Sequence, residues 1–420
     1  MGLLPPLCSG SVPAAHFPAA NWKDPGMAAS PSTARAINDR LALRLLQREG
    51  PLTAAQLKTL TGLSRPTVAD LVDRLQESGL VRVVGETGAS RRGPNARLYG
   101  IAADRAHLAA LDVRTDSVAV IVADLLGVTL AEARLPIGTG TDTDADAADR
   151  AAALLEETAR RAGALPLHSV GIGAPGLVDV TGELRDSTGL PEWHRRLVAV
   201  LQERLPATVL VENETNLAAL AEQRLGAARG QDTFVLFWIG HGVGAAVVLD
   251  GRLRRGASGG AGEIGFLPVP GTPGPPSATS CDGGFHSLAG SAAVCALAEG
   301  YGLVPAPGAP QEPPSAALVR AATGDGRPGA GRFLDALAER VAIGAAAVTA
   351  VLDPGLVVLS GEVGHAGGEA LAGRVERRLA AMSPLRTEVR PGALGGAGVL
   401  RGALLTARDA AQDALFAPGG

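Results

Sequence analysis

Gly240 to Phe266 reads GHGVGAAVVLDGRLRRGASGGAGEIGF, and it follows directly on the apolar run Phe234 to Ile239. That run predicts a buried strand delivering a backbone loop. Glycines at 240, 242 and 244 let the main chain come close to a bound group. Asp250-Gly251 lies between Ala245–Leu249 and Arg252–Arg254, a strong hairpin signal. The stretch closes on Gly-Gly-Ala-Gly-Glu-Ile-Gly, where the carboxylate of Glu263 stands among small residues and is free to accept hydroxyl hydrogen bonds. Any one of these glycines means no more than a turn. The order strand, glycine loop, hairpin, glycine-flanked glutamate is far more specific.

Outward from this stretch, 420 residues imply two or three domains. A hydrophobic content of 46% is globular, while 56 glycines and 29 prolines make the chain rich in loops. No apolar run approaches the ~20 residues that span a bilayer, so no membrane partner is expected. Three widely spaced cysteines, Cys8, Cys281 and Cys295, form no disulfide framework, and a cytoplasmic location is expected. Residues 1–34 are expected to be a disordered tail, with Met27 a candidate start. The net charge of −4 is unevenly spread. Residues 35–105 hold twelve basic and seven acidic side chains, so they carry about +5 against −9 elsewhere. A basic module on an acidic body implies one domain that meets nucleic acid and one that does not.

Apolar residues at 37, 41, 45 and 46 predict a helix over Ile37 to Arg48, stopped by Gly50-Pro51. A second short helix runs from Ala54 to Leu60. After the turn Thr61-Gly62-Leu63, Ser64 caps a third helix that carries Pro66 in its first turn and runs to Glu77. Two strands follow, Leu80 to Val84 and Arg97 to Ile101, joined by a tip containing Arg91 and Arg92. This is a winged helix-turn-helix. The third helix offers Ser64, Arg65, Thr67 and Asp70 to the major groove, with Arg74 placed for phosphate. Arg91 and Arg92 are placed for phosphate or a narrow minor groove.

From Leu108 onward, strand triplets recur at 108–135 and 234–270, each followed by helices, which implies two related α/β lobes with a cleft between them. Here the chain resembles the ROK family (repressor, open reading frame, kinase), on the actin-like sugar kinase fold. The resemblance rests on Gly-Ile-Gly-Ala-Pro-Gly-Leu-Val-Asp at 171–179 and Val-Glu-Asn-Glu-Thr-Asn-Leu-Ala-Ala-Leu-Ala-Glu at 211–222. It extends to the glycine stretch above and to Asp353-Pro354 through Gly361. It covers about residues 35 to 410, and the winged helix marks the repressor branch. The domains expected are the tail, a winged helix-turn-helix at 35–103 and a sensing and dimerisation body at 104–412.

The resemblance also shows departures. The family's kinases place a glycine pair after the first-strand aspartate, where this chain has Asp112-Val113-Arg114-Thr115-Asp116. Asp116 is expected to repel phosphate. The catalytic base position holds Glu214 in place of aspartate, and a ~1 Å misplacement costs ~100-fold in rate. His241 replaces a hydroxyl in the phosphate loop, and the adenosine turn is Ser360-Gly361-Glu362. No catalytic residue and no cofactor are therefore expected. On the sugar side, Asn213, Glu214 and Glu263 are the candidate ligand contacts. The family's histidine after Gly-Glu-Ile-Gly is replaced by Phe266, and a usual sugar-binding asparagine by Gly189. Cys281, with His286 as one possible further ligand, does not make a tetrahedral zinc site, and no metal is expected.

The expectation is a DNA-binding repressor of carbohydrate genes that senses a sugar or sugar derivative. It would bind an inverted-repeat operator of double-stranded DNA as a homodimer or homotetramer. The alternatives are an active sugar kinase with an appended DNA-binding domain, and a ligand-independent regulator.

Overall fold

The computed structural model describes residues 31–86, 96–137, 144–179, 181–184, 191–277, 279–304, 312–324, 326 and 328–417. The N-terminal module comprises α1 (Pro31–Glu49), β1 (Leu52–Thr53), α2 (Ala54–Thr61), α3 (Arg65–Glu77), β2 (Val81–Glu86) and β3 (Arg97–Ile101). The strands form an antiparallel sheet in the order β1-β3-β2. Thr53 caps α2 in a reciprocal box with Gln56, and Gly62 ends that helix in the left-handed region at φ 71°. Leu57, Val68, Leu71, Val72 and Leu75 face inward and are buried. The first helix starts at Pro31, inside the stretch expected to be tail, because a proline is tolerated in the first turn of a helix. Residues 1–30 and the wing tip with Arg91 and Arg92 lie outside the described residues.

Lobe I contains β4 (His107–Val113), β5 (Ser117–Asp124), β6 (Thr129–Pro136), α4 (Asp144–Arg161), β7 (Leu167–Ala174), α5 (Trp193–Arg204), β8 (Thr208–Asn213) and α6 (Glu214–Leu225). Lobe II runs from β9 (Phe234–Ile239), β10 (Val243–Leu249) and β11 (Arg252–Arg254) through α7 (His286–Ala289), α8 (Ser291–Gly300), α9 (Pro314–Gly324) and α10 (Ala330–Leu352). It continues with β12 (Leu356–Ser360), α11 (Gly361–Met382) and β13 (Glu388–Pro391). The sheet orders are β6-β5-β4-β7-β8 and β11-β10-β9-β12-β13. Each is three antiparallel strands with two parallel ones added, so the lobes repeat one scheme. Asp250 and Gly251 take φ 55° and 73°, the positive values of the hairpin turn read from their types.

The last helix, α12 (Gly398–Leu415), returns to lobe I and lies on β7, β4 and α6. Gly402 faces the backbone of Leu217 so closely that a Cβ there would sit 2.0 Å from its carbonyl oxygen. The far end of α12 reaches the N-terminal module, where Arg40 pairs with Asp413. One apolar cluster contains Leu43, Leu57, Leu71 and Leu75 of that module together with Leu108, Leu217, Val399, Ala403 and Phe416 of the body. The outer faces of the two sheets have separate cores. Among the described residues, no helix is long and apolar enough to cross a membrane.

Candidate functional site

The cleft lies between the ends of β4 and β9, the first strands of the two lobes. Asp112, one residue before the end of β4, is almost fully buried, and Arg114 begins the next turn. The guanidinium of Arg114 donates through Nε to Asp112 Oδ2 at 3.1 Å and through Nη1 to Glu362 Oε1 at 3.0 Å. Its carbonyl faces His194 Nε2 at 3.3 Å. Glu362 comes from the other lobe, at the head of α11. Gly361 sets it there with φ 76°, pressed so tightly on β9 that a Cβ would stand 2.5 Å from the carbonyl oxygen of Ile239. Glu362 then lies over Gly240, where any Cβ would fall 2.1 Å from Oε2. The glycine loop is thus built for close approach, and a carboxylate of the same chain makes that approach.

Glu214 opens α6 beside this cluster. Burial, then the carboxylates of Asp112 and Glu362, push its pKa up to about 8, against the pull of Arg114. At neutral pH it mostly holds a proton. Burial also raises Asp112, with Arg114 opposing. Burial lowers Arg114, but Asp112, Glu362 and Glu214 outweigh it and the guanidinium stays charged. The acid expected to repel phosphate, Asp116, is exposed and accepts from the Ser117 hydroxyl at 3.1 Å. The negative group over the glycine loop is Glu362 instead.

The side of the cleft that holds Asn213 and Glu263 is nearly closed. A cavity of about 20 Å³, room for roughly one water, is lined by Leu177, Asn213, Thr215, Gly244 and Glu263, among others. Asn213 caps α6, accepting from the amides of Thr215 and Asn216 at 2.8 and 3.3 Å and donating to the Gly176 carbonyl at 2.8 Å. Its amide is committed to the helix end, whereas Glu263 stands on the rim with its carboxyl raised by partial burial. Sequence reasoning passed over Glu212. It is buried, accepts from Asn216 Nδ2 at 2.9 Å and pairs with Arg255 Nη2 of lobe II at 2.6 Å. A glutamate closing an apolar strand ahead of the asparagine motif was the available signal. Phe266 is 40% exposed, and Gly189 lies outside the described residues. Burial lowers the pKa of His286 and raises that of Cys281. Among the described residues, no three histidine, cysteine, aspartate or glutamate side chains group to hold a metal ion.

On the N-terminal module, Ser64 caps α3 through the Thr67 amide and exchanges a hydroxyl hydrogen bond with Thr67 at 2.8 Å. Arg65 and Asp70 are both exposed. Arg74, expected on phosphate, is committed elsewhere: it pairs with Asp39 of α1 at 2.6 Å and Asp70 at 2.7 Å. The hydrogen bond to Asp39 is the main cause of its raised pKa.

A winged module on two lobes of matching topology, with a glycine loop between the lobes, defines a class. This chain belongs to the ROK family, which matches residues 108–410. Residues 37–93 match the MarR family. The chain is 26% identical over 235 residues to the xylose repressor of Bacillus spizizenii, covering 56% of this chain and 60% of the repressor. It therefore spans about 60% of the length of that curated relative. A solved ROK family transcriptional regulator, a homolog of the E. coli MLC protein, superposes with a TM-score of 0.70 at 21% identity, over 91% of this chain and 98% of that one. A ROK hexokinase from Thermus thermophilus is 30% identical with a TM-score of 0.57, over 73% of this chain and 99% of that one.

Proposed function

We propose that this chain is a DNA-binding transcriptional repressor of carbohydrate genes whose ROK body senses a sugar or sugar derivative without transferring phosphate. The observation that carries the reading is Glu362 over Gly240, held by Arg114. Phosphoryl transfer requires that seat for the triphosphate and an ionised base at the sugar. Here a carboxylate fills the seat, and Glu214 is mostly protonated. The winged module supplies the output. Residues 35–103 would read an inverted repeat through a symmetric dimer or tetramer in the cytoplasm, with Arg65 at base edges and Arg91 and Arg92 on phosphate. Glu263 is the leading sugar contact.

The hexokinase likeness favours a second reading, an active sugar kinase with an appended DNA-binding domain. Titration of the full chain with a panel of sugars and ATP separates the two. Sugar-dependent change in operator binding without ADP release is expected, and ADP production at ordinary enzyme rates would sink the repressor reading. Neutralising Arg91 and Arg92 should lower DNA affinity for all sequences and reduce the salt slope by about 2.

A further inference from the structure

The interlobe cleft holds groups for which neither sugar binding nor DNA reading accounts. Arg114 belongs to lobe I and Glu362 to lobe II, and their 3.0 Å bridge spans 248 residues of sequence. Both are only about a quarter exposed, at 26% and 22%. Among the described residues, Asp112 Oδ1 is buried with no hydrogen-bond partner, so the carboxyl beside Arg114 is only half satisfied. A second bridge crosses the cleft with the opposite polarity, from Arg255 of lobe II to Glu212 of lobe I at 2.6 Å. In the space that α11 and the glycine loop share, the Glu362 carboxylate lies against the main chain at Gly240.

We propose that Glu362 is a ligand in cis for the glycine loop. Its carboxylate occupies the anion seat over Gly240 and, through Arg114, holds the two lobes together, so that the cleft closes without a nucleotide. The proposal rests on reading the cleft as a sensor. The ligand class excluded from the seat is the phosphoryl anion, which must displace Glu362 and then meet the Asp112 carboxylate across Arg114. Sugar-dependent motion is consequently set against these two ion bridges and not against bound ATP.

The test uses the full-length chain and its Glu362→Ala, Glu362→Gln and Arg114→Ala variants, with folding checked by circular dichroism. Amide hydrogen exchange is followed at residues 240–244 and 361–366, and ATP binding by calorimetry. Both alanine variants should exchange about tenfold faster in these segments. Glu362→Ala should bind ATP about tenfold more tightly than the parent chain. Glu362→Gln keeps the shape without the charge, and it should fall between the parent and Glu362→Ala in both readouts. Unchanged exchange in a folded alanine variant overturns the latch. Faster exchange with no gain in ATP affinity overturns the occupied seat. Operator binding and ADP release by the parent chain judge the repressor reading separately.

Discussion

The two lobes share one strand order but differ in the loop after the first strand. In lobe II this loop is Gly240-His241-Gly242, an open backbone cradle. In lobe I the matching turn is Arg114-Thr115-Asp116, which starts on a half-buried cation. Lobe II holds the cradle and also the Glu362 carboxylate that lies over it, and lobe I has a side chain, Arg114, that reaches across to hold that carboxylate. Topology is therefore no guide to chemistry here: the same strand order ends in a glycine loop in one lobe and in a cation in the other, and the pair that joins them needs both Arg114 and Glu362.

The comparison breaks most severely at the residue that aims Glu362. Gly361→Ala forces a side chain into φ 76° and against the Ile239 backbone. Strain and overpacking together should cost about 4 kcal/mol, read by chemical denaturation. Arg114→Ala tests the lobe I side. It leaves Asp112 buried without its cation, and a loss of about 3 kcal/mol is expected. The lobe II counterpart, His241→Ala, is the control: that side chain is exposed, and the change should stay within about 0.5 kcal/mol.

A smaller effect sharpens the same contrast through pH. The folded-state pKa of Glu214, about 8, lies above the ordinary 4.5. The folded state thus holds a proton that the unfolded state releases, and stability falls as pH rises from 4.5 to 8. Glu214→Gln should remove this slope. Its thermal midpoint should match the parent below pH 4.5 and exceed it at pH 8, a gain on the order of 2 kcal/mol after allowance for residual solvent contact. A variant with an unchanged pH slope would place the proton elsewhere in the cluster.

Much of the fold was legible in local pattern. The capped helices at Thr53 and Ser64, the wing strands, both strand triplets and the Asp250-Gly251 hairpin follow from spacing and turn chemistry. Helices α11 and α12 were not read. The first carries five glycines, one of which breaks its geometry at φ 47°, and local propensity reads such a run as loop. Its glycines let it lie close on β9 and β12, a tertiary reason invisible in sequence. Glu263 and Glu214 were named as ligand contacts through the family motif alone. Asn213 was named with them, and its side chain caps α6. Arg74 read as a phosphate contact because its partner Asp39 lies 35 residues away on another helix.

The sequence by itself determined the two modules, the repeated lobes and the family, because these depend on periodicity, turn residues and motif order along the chain. Only the tertiary structure decided what fills the cleft. Arg114 and Glu362 are each unremarkable in their own segments, and they become a pair because two sheets built 130 residues apart bring the ends of β4 and β12 face to face. An ion pair depends on distance in space, and distance across the lobes is written in no single stretch of the chain.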